Sequence, residues 1–296
     1  MTLAAYLKDR QRQVDAELKR LLPSTKTRPG TVHEAMRYSV LAGGKRLRPI
    51  LCLAACEACG GDAAARKNAL TLGAAVEILH TYTLIHDDLP CMDDDDFRRG
   101  LPTCHKKFGE GMAVLAGDAL LTLAFEILAG IVPPKRHPLA AFVRELAVTG
   151  GSRKLIGGQV LDLEGEGRAV TAAELRYIHE SKTAALLTTA IRFGGMAANA
   201  PEKPLEALTV FGHSLGLAFQ VIDDILDVTQ TSEKLGKSAG KDAAVGKATY
   251  PALFGLEKSR TEAARLTRRA RESLALFGEK GTRLAEIAGY LLDREY

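Results

Sequence analysis

Residues 87–100, DDLPCMDDDDFRRG, place six aspartates in ten positions and follow them with Arg98 and Arg99. Two like charges about 5 Å apart repel by roughly 3 kcal/mol at an effective dielectric of about 20, so such a cluster must be solvated, protonated or loaded with cations. The arginines supply only part of the compensation. Leu89-Pro90 stops any helix between Asp88 and Asp93, and short oxygen ligands at such a bend suit a hard divalent ion. Magnesium usually takes one or two protein carboxylates and leaves its remaining positions to water and substrate phosphate. The adjacent arginines look like the other half of a phosphate site. A solvated loop or a weak calcium site has the same composition, so the reading turns on what the rest of the chain adds.

A second group lies in FQVIDDILD, 219–227. At helical spacing Gln220, Asp223, Asp224 and Asp227 form one stripe, while Val221, Ile222, Ile225 and Leu226 face a core. An exposed polar face would more often mix in lysines. Two Asp-rich sites in a helical chain suggest opposing walls that hold several metal ions and one polyphosphate. Just before the first cluster, AVEILHTYTLIHDD reads as helix and puts His80, Thr83 and Asp87 on one side. A histidine so placed is ordinarily a hydrogen-bonded core residue. Further upstream, GGKRLRP spaces Lys45 and Arg48 for phosphate binding after a Gly-rich turn, although surface charge explains them as well. No P-loop or dinucleotide fingerprint accompanies it.

Composition agrees with an all-α chain. Leu and Ala dominate, aromatics are 5% and tryptophan is absent. Breaks at 23–30, 60–61, 89–102, 133–138, 165–171 and 199–204 divide about ten helices, and residues 1–296 are read as a single domain. The net charge of +4 is spread in short groups, which argues against nucleic acid as a partner. Five cysteines, Cys52, Cys56, Cys59, Cys91 and Cys104, lack the pattern of a disulfide framework, and Cys56-x-x-Cys59 is read as buried structural thiols. The amphipathic N-terminus is not a signal peptide, and Asp118 and Glu126 interrupt the most apolar stretch. No membrane span and a cytoplasmic location are therefore expected. The polar, Gly-rich stretch 229–246, with Lys234, Lys237 and Lys241, reads as a lid that brings lysines to a phosphate.

Together these motifs resemble the trans-isoprenyl diphosphate synthases, and most nearly their bacterial farnesyl diphosphate synthases. The matching stretches are GGKRLRP (43–49), LIHDDLPCMDDDDFRRGLPTCH (84–105), GDALLTLAFEIL (117–128), GGQVLDL (157–163), SKTAAL (181–186), FQVIDDILD (219–227) and GKDAAVGKATYPAL (240–253). They run in family order across about 210 residues.

The resemblance implies the isoprenoid synthase fold, one bundle around a central cavity, and a homodimer. It implies about three magnesium ions, with Asp87, Asp93 and Asp223 as direct ligands and Asp88, Asp224 and Asp227 acting through water or by orienting them. Lys45, Arg48, His80 and Arg99 look like the isopentenyl diphosphate site. Arg98, Lys182, Lys237 and Lys247 look like partners of the allylic diphosphate, with Thr183 and Gln220 near its chain. Gln159 and Asp162 occupy the family's Gly-Gly-Gln-x-x-Asp context.

The implied reaction joins isopentenyl diphosphate to dimethylallyl and then geranyl diphosphate through an allylic cation, releasing pyrophosphate. In such enzymes the bulk four and five residues before the first aspartate sets the cavity floor. Here those residues are Thr83 and Tyr82, and the tyrosine resembles enzymes that stop at fifteen carbons; ordinary core packing is the other reading. A geranylgeranyl or geranyl diphosphate synthase is the nearest alternative. A terpene cyclase and a non-catalytic partner subunit are further ones, but the first would have little use for a second diphosphate site and the second tends to lose aspartates from one motif.

Overall fold

The computed structural model describes residues 1–165, 167–229 and 248–292. Helix α1 (Leu3–Leu21) starts where Thr2 accepts a hydrogen bond from the Ala5 amide, and its buried Tyr6, Val14 and Leu18 lie on one side. After α2 (Gly30–Leu41) and α3 (Leu47–Ala58) comes α4 (Ala63–Asp87), capped by Asp62 on the Ala65 amide at 2.8 Å. Residues 72–79 of α4 are all buried, so it is a central helix, and Pro90 stops it three residues beyond its last one.

A two-residue antiparallel ribbon follows, β1 (Phe97–Arg98) against β2 (Leu101–Pro102). Arg99 and Gly100 turn it with φ of 55° and 77°, the left-handed pair that matches the twist of a tight hairpin. Helices α5 (Cys104–Phe108) and α6 (Glu110–Ala129) are split at Gly109, φ 84°. Next come α7 (Leu139–Gly150), α8 (Leu155–Gly165) and α9 (Ala172–Ile178), whose Thr171 and Glu174 form a capping box. A π-helical turn, His179–Ala184, joins α9 to α10 (Ala185–Ala197). The long α11 (Glu202–Thr229) carries the second aspartate group; α12 (Tyr250–Phe254), α13 (Leu256–Ser273), a 3-10 turn (Ala275–Gly281) and α14 (Thr282–Leu292) complete the described residues.

Two apolar clusters hold the bundle. In one, α4 and α6 pack through Leu72, Leu79, Leu120 and Leu128, with Phe142 and Phe193 rings 5.5 Å apart; in the other, α11 meets α13 through residues such as Phe211, Leu215, Ile222 and Leu266. Helices α3 and α10 contribute to both, so they form the partition between them. Burying each such side chain contributes about 1.5–3 kcal/mol, which offsets the entropy of ordering the helices.

The expected all-α class holds, with two differences. Fourteen α-helices occur among the described residues rather than about ten, because Gly109 and short stops such as Gly255 cut runs whose apolar periodicity continues. The expectation of no candidate membrane span is also corrected: α6 and α11 are long and apolar enough, with best-window mean hydropathy of 1.8 and 1.4. Two carboxylates do not outweigh the Leu and Ala of α6. Their apolar content is explained by packing, α6 on α4 and α2, and α11 on α13 and α10. Most of the expected lid, with Lys234, Lys237 and Lys241, and also Lys247, lies outside the described residues.

Candidate active site

The end of α4 supplies one wall. Asp87 is its last residue and Asp88 its cap, and the chain then folds back so that the Asp93 amide donates to the Asp87 carbonyl at 2.8 Å. The ribbon returns Arg98 to Asp88, with Nε 2.6 Å and Nη2 2.5 Å from Oδ1, and Nη2 also lies 3.4 Å from Asp95. Burial raises the Asp87 carboxyl to a pKa of about 6, while the nearby Lys182 pulls it down and Asp93 pushes it up. Burial also raises Asp88, against the opposing hydrogen bond from Arg98.

Beside this wall opens a cavity of about 590 Å³, within the usual size of small-ligand pockets. Arg48, His80, Tyr82, Thr83, Asp87, Gln159, Lys182 and Thr183 all line it, with Leu89, Leu121, Leu155 and Leu163 as apolar surface. Seven of these, together with Gln159, are sites the sequence singled out. Burial, followed by the fields of Arg48 and Arg99, holds the His80 imidazolium well below the ordinary histidine range, so this ring is neutral near pH 7. Tyr82 is 6% exposed and its ring meets His86 edge-on at 5.5 Å.

The π-turn forms the side facing α4. Adding one residue to a helical turn re-aims the side chains beyond it, and here those are Lys182 and Thr183. Lys182 Nζ sits 2.7 Å from Asp162 Oδ2 on α8. That approach needs Gly158, where an added Cβ would lie 2.8 Å from the Lys182 backbone nitrogen.

From Thr183 the contacts run into the second aspartate group. Its hydroxyl donates to Gln220 Oε1 at 3.0 Å, and Gln220 Nε2 donates to Asp224 Oδ1 at 3.2 Å. Asp224 Oδ2 accepts the Tyr250 amide at 3.0 Å and has His179 Nε2 3.6 Å away, with the His179 ring stacked on Tyr250 at 5.5 Å. The stripe is therefore not one exposed face: Asp224 and Asp227 are 4% and 5% exposed, and Asp223 is half-buried.

Not every expected residue joins the cavity lining. Lys45 is exposed, and Arg98 and Arg99 border a small adjoining hollow with Asp88. Lys237 and Lys247 lie outside the described residues. Sequence reasoning missed His179 and Tyr250, which hold Asp224, and Arg46, Glu77 and Asp15, which stand behind the basic group. Cys56 and Cys59 are pushed up to about 12 and 11 by burial, as suits structural thiols.

A carboxylate wall, a lysine, neutral and cationic donors and an apolar lining around one cavity can stabilise a leaving polyphosphate while keeping water from an electron-poor carbon. The chain as a whole is similar to known proteins. The profile of the family described as polyprenyl synthetase matches residues 29–276. Geranylgeranyl pyrophosphate synthase 11, chloroplastic, of Arabidopsis thaliana is 52% identical over 274 residues, 90% of this chain and 75% of that one. The chloroplastic geranylgeranyl pyrophosphate synthase of Capsicum annuum is 50% identical over 273 residues, covering 90% and 72%. Among solved structures, an FPP/GFPP synthase from Zymomonas mobilis superposes with a TM-score of 0.85 at 35% identity, covering 98% of each chain. A geranyltransferase from Legionella pneumophila gives 0.85 at 32%, covering 99% and 98%. The bundle is the isoprenoid synthase fold. With its profile match spanning most of the length and relatives half identical to it, this chain belongs to the polyprenyl synthetase family, the prenyltransferases that elongate prenyl diphosphates.

Proposed function

We propose that the protein condenses isopentenyl diphosphate with an allylic diphosphate and that its end product is geranylgeranyl diphosphate. The observation that carries the reaction is the shared cavity, which Asp87 and Lys182, Arg48 and His80, and apolar side chains such as Leu121, Leu155 and Leu163 line together. Two anionic groups and one dry chain path are what a prenyl coupling needs. The twenty-carbon product is supported by the curated relatives, whose names carry it at about half identity. The fifteen-carbon expectation has weaker support, from the FPP/GFPP synthase structure at 35% identity, and from one feature of this chain, the buried Tyr82 on the cavity wall.

The residues fit magnesium. Asp227 Oδ2 is buried without a hydrogen-bond partner among the described residues, and burial holds Asp87 near pKa 6 although Lys182 and Arg98 pull it down. Asp87 and Asp93 on one side and Asp223 on the other would hold the ions, with Asp88, Asp224 and Asp227 behind them; hard oxygen donors suit this cation. When bound, magnesium supplies positive charge to the departing pyrophosphate.

The chain's own groups do the rest. Lys182, oriented by Asp162, and Arg98, oriented by Asp88, face the allylic diphosphate and stabilise it as the carbon–oxygen bond breaks and the electron pair leaves with pyrophosphate. Arg48, Arg99 and the neutral His80 hold isopentenyl diphosphate, whose double-bond electrons form the new carbon–carbon bond. The resulting tertiary cation loses a proton to a pyrophosphate oxygen, so no side-chain base is required. Tyr82, Leu121, Leu155 and Leu163 keep water from the cations. A homodimer belongs to the same reading. Incubating the protein with magnesium, isopentenyl and dimethylallyl diphosphates and sizing the prenyl chains tests the proposal. A twenty-carbon product is expected, fifteen carbons would favour the Tyr82 reading, and no condensation would remove both.

A further inference from the structure

Between Lys45 and Arg48 stands an arginine that the diphosphate reading leaves without a task. Arg46 is 2% exposed and holds φ at 51°, the left-handed region that a side-chain-bearing residue enters at a cost. All three nitrogens of its guanidinium are engaged, in three directions. Nε donates to Asp15 of α1 at 2.8 Å, Nη1 to Glu77 of α4 at 3.2 Å, and Nη2 to the Val40 carbonyl of α2 at 2.7 Å. One side chain thus ties the turn before α3 to three other helices, which is what keeps residue 46 in its costly conformation.

Consequences follow for its neighbours. With residue 46 left-handed, Lys45 stays at the surface while Arg48, in the first turn of α3, is directed to the cavity. Glu77, itself 2% exposed, is a buried carboxylate next to this group, and its field is the main one that favours the charged forms of Arg48 and Arg99. Arg48 Nε has no partner among the described residues, so its position is not fixed by a hydrogen bond from that atom. It depends on the turn that delivers it.

We infer that Arg46, clamped by Asp15, Glu77 and the Val40 carbonyl, is the positioning residue of the isopentenyl diphosphate half-site: it touches no substrate and sets where Lys45 and Arg48 stand. This rests on the proposed condensation. It adds a positioning residue to the isopentenyl diphosphate half of the site, one that should govern one substrate and not the other. Lysine has a single point of charge and cannot reproduce three donors aimed at three helices, so Arg46→Lys should resemble Arg46→Met.

The test is steady-state kinetics of purified full-length protein with magnesium, varying each substrate separately. In Arg46→Met and Arg46→Lys the KM for isopentenyl diphosphate should rise about tenfold or more, with the KM for dimethylallyl diphosphate within about twofold and kcat at saturation within about threefold. Asp15 sits at the surface, so Asp15→Asn guards against misfolding of the buried variants; it should raise the same KM about two- to fivefold and leave the other alone. If both KM values rise together, or neither moves in Asp15→Asn and a folded Arg46 variant, the inference is overturned while the condensation stands. Wild-type protein that makes no prenyl product instead overturns the functional reading, and unchanged calorimetric affinity of Arg46→Lys for isopentenyl diphosphate alone then overturns this one separately.

Discussion

Arg98 closes on Asp88 through two nitrogens, 2.6 and 2.5 Å from the same oxygen, whereas Asp87 one residue earlier has no cation at ion-pair distance among the described residues. Adjacent aspartates at one helix end are thus given different tasks. Asp88 orients a guanidinium, and Asp87 keeps an under-compensated carboxylate at the cavity. The pair predicts strong coupling. Arg98→Ala and Asp88→Ala should each lower kcat/KM for dimethylallyl diphosphate about 100-fold, and the double variant should lose little more than either alone. A double-mutant cycle measures this; additive losses would mean that Asp88 acts on the metal independently of Arg98.

Asp87 carries a prediction about pH. Its folded value of about 6 lies above the ordinary 3.8, so ionising it opposes folding. Stability from this group is present below about pH 4 and is lost as pH rises through 6. Metal-free protein in EDTA should therefore be steadier at pH 5 than at pH 7 as far as this residue is concerned. Asp87→Asn should remove that slope and stabilise the metal-free protein at pH 7 by about 1–3 kcal/mol, while abolishing condensation. Magnesium affinity measured with inorganic pyrophosphate should fall as pH drops through 6. Denaturant midpoints of the two proteins at both pH values decide it: an unchanged difference would place the burial cost elsewhere.

What was legible in the chain follows from how far apart the cooperating residues lie in it. The aspartate groups and His80 were visible in local spacing, Lys182 and Thr183 only through the resemblance of SKTAAL to a family motif, and Asp87, His80, Lys182 and Thr183 all line one cavity. Gln220 and Thr183 were both singled out, and they are hydrogen-bonded to one another across 37 residues. The supports were not visible. Asp15 and Glu77 each lie 31 residues from Arg46, and Tyr250 lies 26 from Asp224; no periodicity connects such pairs. The π-turn escaped for a different reason, since one added residue in a helix leaves the apolar pattern nearly intact. Product length was the least legible property, because it rests on a few side chains while overall identity averages hundreds.

Tyr82 isolates that last property. Its ring is buried against His86 and borders the cavity, and His86, four residues on along α4, donates from Nε2 to the Val114 carbonyl. Truncation opens space on the cavity side without disturbing the aspartates. Tyr82→Ala should lengthen the product by at least one five-carbon unit relative to wild type, with the first condensation slowed less than about tenfold and stability reduced by about 3–5 kcal/mol at most. Chromatography of the dephosphorylated products reads the outcome. A product of unchanged length would leave Tyr82 as packing alone and shift the floor to other lining residues.

Gly44 ties the basic group together in a way that a single methyl should expose. It holds φ at 124°, and a Cβ there would stand 2.8 Å from Arg99 Cζ, so the guanidinium lies against the bare backbone. Arg99 Nη1 donates to the Gly43 carbonyl, and Gln11 Nε2 donates to the Gly44 carbonyl at 2.8 Å, which locks the loop from its other side. The backbone cannot retreat, so an alanine must both strain φ and push Arg99 away. Gly44→Ala is expected to cost about 1–3 kcal/mol in stability and to raise the KM for isopentenyl diphosphate at least about tenfold, leaving the allylic substrate nearly unaffected. Urea unfolding and the two KM values separate the effects. Lost stability with an unchanged KM would mean that Arg99 re-seats without harm, and Arg99 would then drop out of the diphosphate site.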